Sequence, residues 1–231
     1  MSLTTEQIAL IRKYNVPGPR YTSYPTVPYW ENPPTENEWL SIVKKRYHDS
    51  KNNNGISLYI HLPYCESLCT YCGCNTRITI NHQVEKPYID ALLKEWKIYL
   101  NTFDEKPKIS ELHLGGGTPT FFSALNLKYL LDKLKSQAIF TNETEMSFEA
   151  HPNNTTDEHL QTLFDLGFKR LSLGIQDFDL KVQSAINRIQ PIENVKHVTN
   201  KAREIGYTSI NFDLVYGLPF QTKNSVKDTL D

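Results

Sequence analysis

The chain has 231 residues, 39% of them hydrophobic and 22% charged, with a formal net charge of −1 at pH 7. This is ordinary globular composition, enough for one sizeable core, with no basic footprint for nucleic acid. The first thirty residues lack an apolar leader, and no stretch approaches the roughly 18 uninterrupted apolar residues of a membrane span, so a cytoplasmic protein with no membrane span is expected.

In chain order, Thr4 to Lys13 carries Ile8, Leu10 and Ile11 at loose helical spacing, with Thr5 as the expected N-cap. Pro17-Gly18-Pro19 ends that helix. The aromatic, proline-rich run from Arg20 to Trp30 has no period and suggests an extended arm lying on another surface. Thr35 and Glu38 have the spacing of a capping box and open a helix to about His48, which Asn52, Asn53, Asn54 and Gly55 break. Residues 1–50 therefore read as an N-terminal arm with helices, and 51–231 as the main domain.

The main domain alternates strand and helix. Strands are expected at Ile56 to Ile60, Ile109 to Leu114, Glu145 to Ala150, Lys169 to Ile175 and Thr208 to Leu214. Between them, helices are expected over Tyr88 to Tyr99, Leu125 to Leu134, Thr156 to Leu166 and Val195 to Ile205, the last two closed by Gly167 and Gly206. That order argues for parallel strands with helices outside. The two-residue period places Tyr59 and His61 on one face of the first strand, Glu145, Ser147 and Glu149 on the third, Arg170, Ser172, Gly174 and Gln176 on the fourth, and Ser209, Asn211 and Asp213 on the fifth. Their opposite faces are apolar. A doubly wound sheet should be apolar on both faces, so the expected fold is α/β, a partial (β/α) barrel of parallel strands with a polar lumen.

All four cysteines fall between Cys65 and Cys74, directly after the first strand. A disulfide framework is improbable for so local a cluster in a reducing compartment, and a structural zinc site would want a second knuckle that is not there. Cys65, Cys69 and Cys72, spaced C-x3-C-x2-C, suit an iron-sulfur cluster instead, with one iron left open. An amine and carboxylate ligand such as S-adenosylmethionine could chelate that iron. Glycines 115 to 117 permit close backbone approach to a ligand, Glu149 and Asp213 could accept from an ammonium or hydroxyl, and Arg188 could clamp a carboxylate or be a surface ion pair. His61 reads either as a hydrogen-bonded core residue or as a donor or proton relay beside the loop. Cys74 reads as a buried small hydrophobe, an alternate ligand, or a thiol donating near the substrate.

The run from Tyr59 to Asn75, with Gly115 to Thr120, Gly174 to Phe178, Pro19 to Pro25, Asn187-Arg188 and Asn211 to Pro219, resembles the oxygen-independent coproporphyrinogen III oxidases, enzymes of the radical S-adenosylmethionine (radical SAM) superfamily. The resemblance implies a [4Fe-4S] cluster on Cys65, Cys69 and Cys72 but not Cys74; Cys74 and His61 stand as the catalytic candidates by their positions beside the loop. It implies that Tyr59, Gly116 and Glu149 contact a cluster-bound S-adenosylmethionine, and that Tyr71, Gly117, Thr118, Gln176, Arg188 and Asp213 surround a second one. The implied reaction converts two propionates of coproporphyrinogen III to vinyl groups in haem biosynthesis, with a reductant and an electron acceptor that are not identified. Arg20 and Arg77 are candidates to grip substrate carboxylates. The family continues beyond the point matching Asp231 through another strand and a helical domain, so weak or no turnover is expected from these residues alone. A related haem chaperone, a haem-opening radical methyltransferase and a structural zinc barrel are the alternatives; Cys74 and the arm from Arg20 to Pro25 favour the oxidase over the chaperone.

Overall fold

The computed structural model describes residues 3–16, 26, 29–50 and 55–231. It divides into two units, Met1–Ile42 and Val43–Asp231. The expected stop at Pro17 to Pro19, Arg20 with most of the arm, and the break at Asn52 to Asn54 lie outside the described residues.

Helix α1 (Thr5–Tyr14) is capped one residue earlier than its sequence pattern suggests. The Thr4 hydroxyl accepts from Gln7 N at 3.2 Å while Gln7 Oε1 accepts from Thr4 N at 2.9 Å. Thr5 cannot form that reciprocal pair, because the residue three positions on is Ile8. Helix α2 (Glu36–Ser50) opens on the anticipated box, with Glu38 Oε2 accepting from Thr35 N at 2.8 Å.

The second unit holds β1 (Ile56–Leu62), β2 (Tyr64–Cys65), β3 (Arg77–Ile78), α3 (Glu85–Thr102), β4 (Ile109–Gly116), α4 (Ala124–Gln137), β5 (Glu145–Ala150), α5 (Asp157–Asp165), β6 (Arg170–Gln176), α6 (Leu180–Ala185), α7 (Ile192–Ile205), β7 (Ser209–Leu214) and α8 (Lys223–Leu230). The five long strands make one parallel sheet in the order β1-β4-β5-β6-β7. Neighbours in space follow neighbours in sequence with no reversal, the arrangement of a barrel wall and not of a doubly wound sheet. The expected partial (β/α) barrel is what the chain forms.

Burial follows the alternation. Met146 and Phe148 of β5, and Leu171, Leu173 and Ile175 of β6, are buried under the helices, while Ser147, Glu149, Ser172, Gly174 and Gln176 on the other face are only half-buried. Strand β7 departs from this: Phe212 and Leu214 remain 44% and 42% exposed, because among the described residues β7 pairs on one side only. The short elements β2, β3 and α6 carry too few residues for a periodic pattern to reveal them. No helix among the described residues is long and apolar enough to cross a membrane.

Glu85 ties the helical layer together. Only 2% exposed, its carboxylate accepts from Ser123 N at 2.9 Å and Asn126 Nδ2 at 2.7 Å at the start of α4, and pairs with His82 Nδ1 at 2.7 Å. Its removal takes a buried carboxylate acceptor from these part-buried donors, so Glu85→Ala should lower the unfolding free energy by about 1–3 kcal/mol. Urea denaturation measures this, and a change within experimental scatter would contradict the assignment.

Candidate active site

The cysteine loop has almost no regular structure of its own and is held by its ends. At its base β2 and β3 pair in parallel, with Arg77 N donating to Pro63 O at 2.8 Å and Thr79 N to Cys65 O at 2.9 Å. At its tip, Thr70 N donates to Ile186 O at 3.0 Å and Asn187 Nδ2 to Leu68 O at 2.8 Å, which fastens it to the segment after α6. Between these ties, Cys72 N closes a turn on Cys69 O at 3.0 Å.

The loop after β4 is laced against the same chain. Gly117 N donates to Leu62 O at 2.9 Å and Thr118 N to Tyr64 O at 3.0 Å. A Cβ on Gly117 would sit 2.5 Å from Pro63 O, and one on Gly116, at φ +123°, would sit 2.9 Å from His61 Nδ1. The glycines are thus required first by this close packing of protein on protein. Thr118 Oγ1 then comes to 3.3 Å from Cys65 Sγ.

A cavity of ≈ 320 Å³ opens between the cysteine loop and the C-terminal ends of β4 to β7. Cys65, Cys69, Cys72, Cys74, Tyr71, Gly116, Gly117, Thr118, Glu149, Gln176, Arg188 and Asp213, all anticipated, line it. Gln176 reaches it by a bulge at the end of β6, where its own φ is +68°. Gly174 leaves room for Arg188, since a Cβ there would meet Arg188 Nη2 at 2.8 Å. Arg188 donates from Nη2 to Gly174 O at 2.7 Å and from Nη1 to Cys69 Sγ at 3.6 Å, while its Nε is buried without a partner. Asp213 is held by Ser172 Oγ at 2.7 Å and Asn211 Nδ2 at 2.7 Å.

Tyr59 and His61 border a second cavity of ≈ 190 Å³ against α3 and are not part of that lining, although Tyr59 adjoins Glu149, the two side chains meeting over Gly115. His61 Nε2 lies 2.8 Å from Asn75 O and its Nδ1 3.0 Å from Tyr59 Oη. A carbonyl only accepts, so Nε2 carries the proton and Nδ1 accepts from the tyrosine. Nε2 thus holds the returning loop, while Nδ1 is taken up by Tyr59 on the same strand. Arg77, in β3, is exposed and does not line the main cavity.

Two histidines escaped the sequence reading. His113 on β4 lies in register with Tyr59 and Ser147, 2.8 Å from Ser147 Oγ through Nδ1 and 3.6 Å from Glu149 Oε1 through Nε2. Its signal was available in the alternation of Glu111 and His113. His151 follows β5, lines the cavity, and gave no signal because it lies beyond the strand's period.

The donor set fits an iron-sulfur cluster. Three soft thiols on one pinned loop face one cavity, and the Arg188 N–H on Cys69 Sγ offsets thiolate charge. Burial raises the Cys65 thiol, opposed by the Thr118 hydroxyl and aided by the Cys72 and Cys69 sulfurs, so a metal that displaces the proton answers a real cost. Burial raises Tyr71 and Cys74 as well, Cys74 also through Cys72. All four thiols are free, and among the described residues no three His, Cys, Asp or Glu side chains gather for a single ion.

Residues 59–231 match the family described as the radical SAM superfamily, and the chain belongs to it. Such proteins hold a [4Fe-4S] cluster and S-adenosylmethionine. The oxygen-independent coproporphyrinogen III oxidase of Helicobacter pylori strain J99 is 46% identical over 223 residues, 95% of this chain and 48% of that relative. That of Escherichia coli K12 is 41% identical over 96% of this chain and 48% of its own length. The solved structure of coproporphyrinogen III oxidase (HemN) from Escherichia coli, described as a radical SAM enzyme, superposes with a TM-score of 0.84 at 39% identity, over 96% of this chain and 48% of that one. The chain spans about half the length of these relatives.

Burial, with a smaller contribution from Arg188, lowers the His151 pKa to about 3 from the ordinary 6.5. Between those values the unfolded chain binds a proton that the folded chain does not, so stability falls as pH drops from 6.5 toward 3. His151→Asn should flatten that fall by up to about 1.4 kcal/mol per pH unit. Burial lowers His159 too, so some slope persists in the variant. Urea unfolding across the window checks it, and parallel curves for the two proteins would refute it.

Proposed function

We propose that this chain forms the cofactor-binding part of an oxygen-independent coproporphyrinogen III oxidase, a cytoplasmic radical SAM oxidoreductase of haem biosynthesis. The observation that carries the reading is the pinned three-thiol loop facing a cavity lined by Glu149, Asp213 and Arg188, in a chain 46% identical to an enzyme of that name. Residues 1–50 supply an arm and helices, and 51–231 the barrel wall.

Cys65, Cys69 and Cys72 would hold the cluster, and Tyr59, Gly116 and Glu149 the S-adenosylmethionine on it. Tyr71, Gly117, Thr118, Gln176, Arg188 and Asp213 would surround a second S-adenosylmethionine. When bound, these groups would supply radical chemistry able to remove a hydrogen atom from a propionate, with carbon dioxide and one electron as the other leaving partners and an external acceptor for that electron. The residues of the chain bind and orient. Glu149 Oε2 accepts from Gly116 N at 3.2 Å, which presents the carboxylate at the strand end where an ammonium can be received. The Cys74 thiol stands exposed beside Cys72, placed to hand a hydrogen to a group in the cavity. His61 fixes the loop through Asn75.

Anaerobic reconstitution with iron and sulfide tests the reading. A visible charge-transfer band, reductive formation of 5′-deoxyadenosine and loss of both in Cys65→Ala, Cys69→Ala or Cys72→Ala are expected, while Cys74→Ala keeps the cluster. Loss of carbon dioxide from coproporphyrinogen III, even at the weak rate expected of these residues alone, separates the oxidase from a haem chaperone or methyltransferase. Stoichiometric haem binding without 5′-deoxyadenosine would sink the proposal.

A further inference from the structure

The turn after β5 carries a side chain with one nitrogen committed to the fold and one left over. His151 Nδ1 accepts from Asn153 N at 3.2 Å, capping the single 3-10 turn Pro152–Asn154. A ring nitrogen that accepts carries no proton, so in the neutral ring the proton sits on Nε2. Burial and the nearby Arg188 guanidinium keep the ring neutral. No hydrogen bond among the described residues occupies Nε2, and the residue lines the main cavity.

The surroundings say what such a donor is for. Glu149 and Asp213 line the same cavity, where they suit cationic or hydroxyl groups. Arg188 brings positive charge, and its Nη1 and Nη2 each use one N–H on Cys69 and Gly174 and keep a second N–H to offer. A neutral N–H beside a guanidinium offers donors only, at two points, without the repulsion that a second cation would bring. A carboxylate has two acceptor oxygens and one negative charge, which matches that pair. We propose that His151 is a ligand-contacting residue whose Nε2–H, together with Arg188, receives a carboxylate in the cavity.

The inference rests on the function proposed above, which supplies two sources of that group: the methionyl carboxylate of S-adenosylmethionine and a propionate of the tetrapyrrole. Two substitutions separate the roles of the ring. In His151→Asn the side-chain oxygen can keep the cap on Asn153 but is too short to place a donor at the Nε2 position. In His151→Gln the amide reaches that position and the cap is lost. With the anaerobically reconstituted chain, equilibrium binding is measured for S-adenosylmethionine and for coproporphyrin III.

His151→Asn should weaken one of them about tenfold or more with an unchanged melting temperature, and His151→Gln should bind within about threefold of the unmutated chain while melting lower. Weakening confined to S-adenosylmethionine assigns the methionyl carboxylate; weakening confined to coproporphyrin III assigns a propionate. Unchanged affinity for both in His151→Asn overturns the inference, as does a glutamine variant as weak as the asparagine one, which leaves only the turn cap. If the unmutated chain binds neither probe, the function reading fails along with the inference; intact binding that ignores His151→Asn removes the inference alone.

Discussion

The site depends on the cysteine loop being fastened at two places that belong to different parts of the sheet. Its base is the β2–β3 pair beside β1, and its tip is bonded to Ile186 and Asn187, beyond β6. A free loop of this length would cost roughly 1–2 kcal/mol of backbone entropy per ordered residue, which a few hydrogen bonds cannot offset unless the anchors are rigid. They are rigid because β1 and β6 are strands of one sheet. The distance between the loop's anchors is therefore fixed by the sheet, and so is the width of the cavity beneath it.

Close approach accounts for the residues around the loop better than ligand contact does. Gly117 lies where a Cβ would strike Pro63, and Gly174 where it would strike Arg188 and Gln176. With room made at Gly174, Arg188 folds back over the β6 carbonyl and reaches Cys69, so a strand glycine decides whether a cation sits beside the cluster loop. The buried Asp177 performs a similar task one step further on, accepting from Gln221 Nε2 at 2.6 Å and Asp179 N at 2.7 Å to set the turn after β6.

Local periodicity made the sheet legible, and the lack of a local signal hid most of what was missed. The polar and apolar faces of β5 and β6 could be read because period two survives without tertiary information. Helix starts were missed by a few residues, as at Glu85 and Ile192, where the first turn is polar or lacks a side-chain cap. The bond from Asn187 to Leu68 joins residues 119 apart, and no pattern in either segment announces it. The cysteine spacing was legible for a different reason, since ligands that share one loop keep their geometry within a few residues of chain. His61 was placed correctly beside the loop, but its bond to Asn75, which gives it a holding task, depends on how the loop returns.

The distribution of charge around the cavity follows from the same construction. Glu149 and Asp213 arrive on strand ends, positions set by the sheet, whereas Arg188 arrives from a loop and can reach the cysteines only because the loop is tied to them. An uncompensated cation so near three half-buried sulfurs would be costly, and as the sulfurs become thiolates on iron that cost turns into attraction. The arginine is thus best satisfied with a negatively charged cluster loop and with an anion at the Nη hydrogens that Cys69 and Gly174 leave free. A neutral His151 beside it adds a donor without adding charge, so the anion would be recognised by shape as well as by sign.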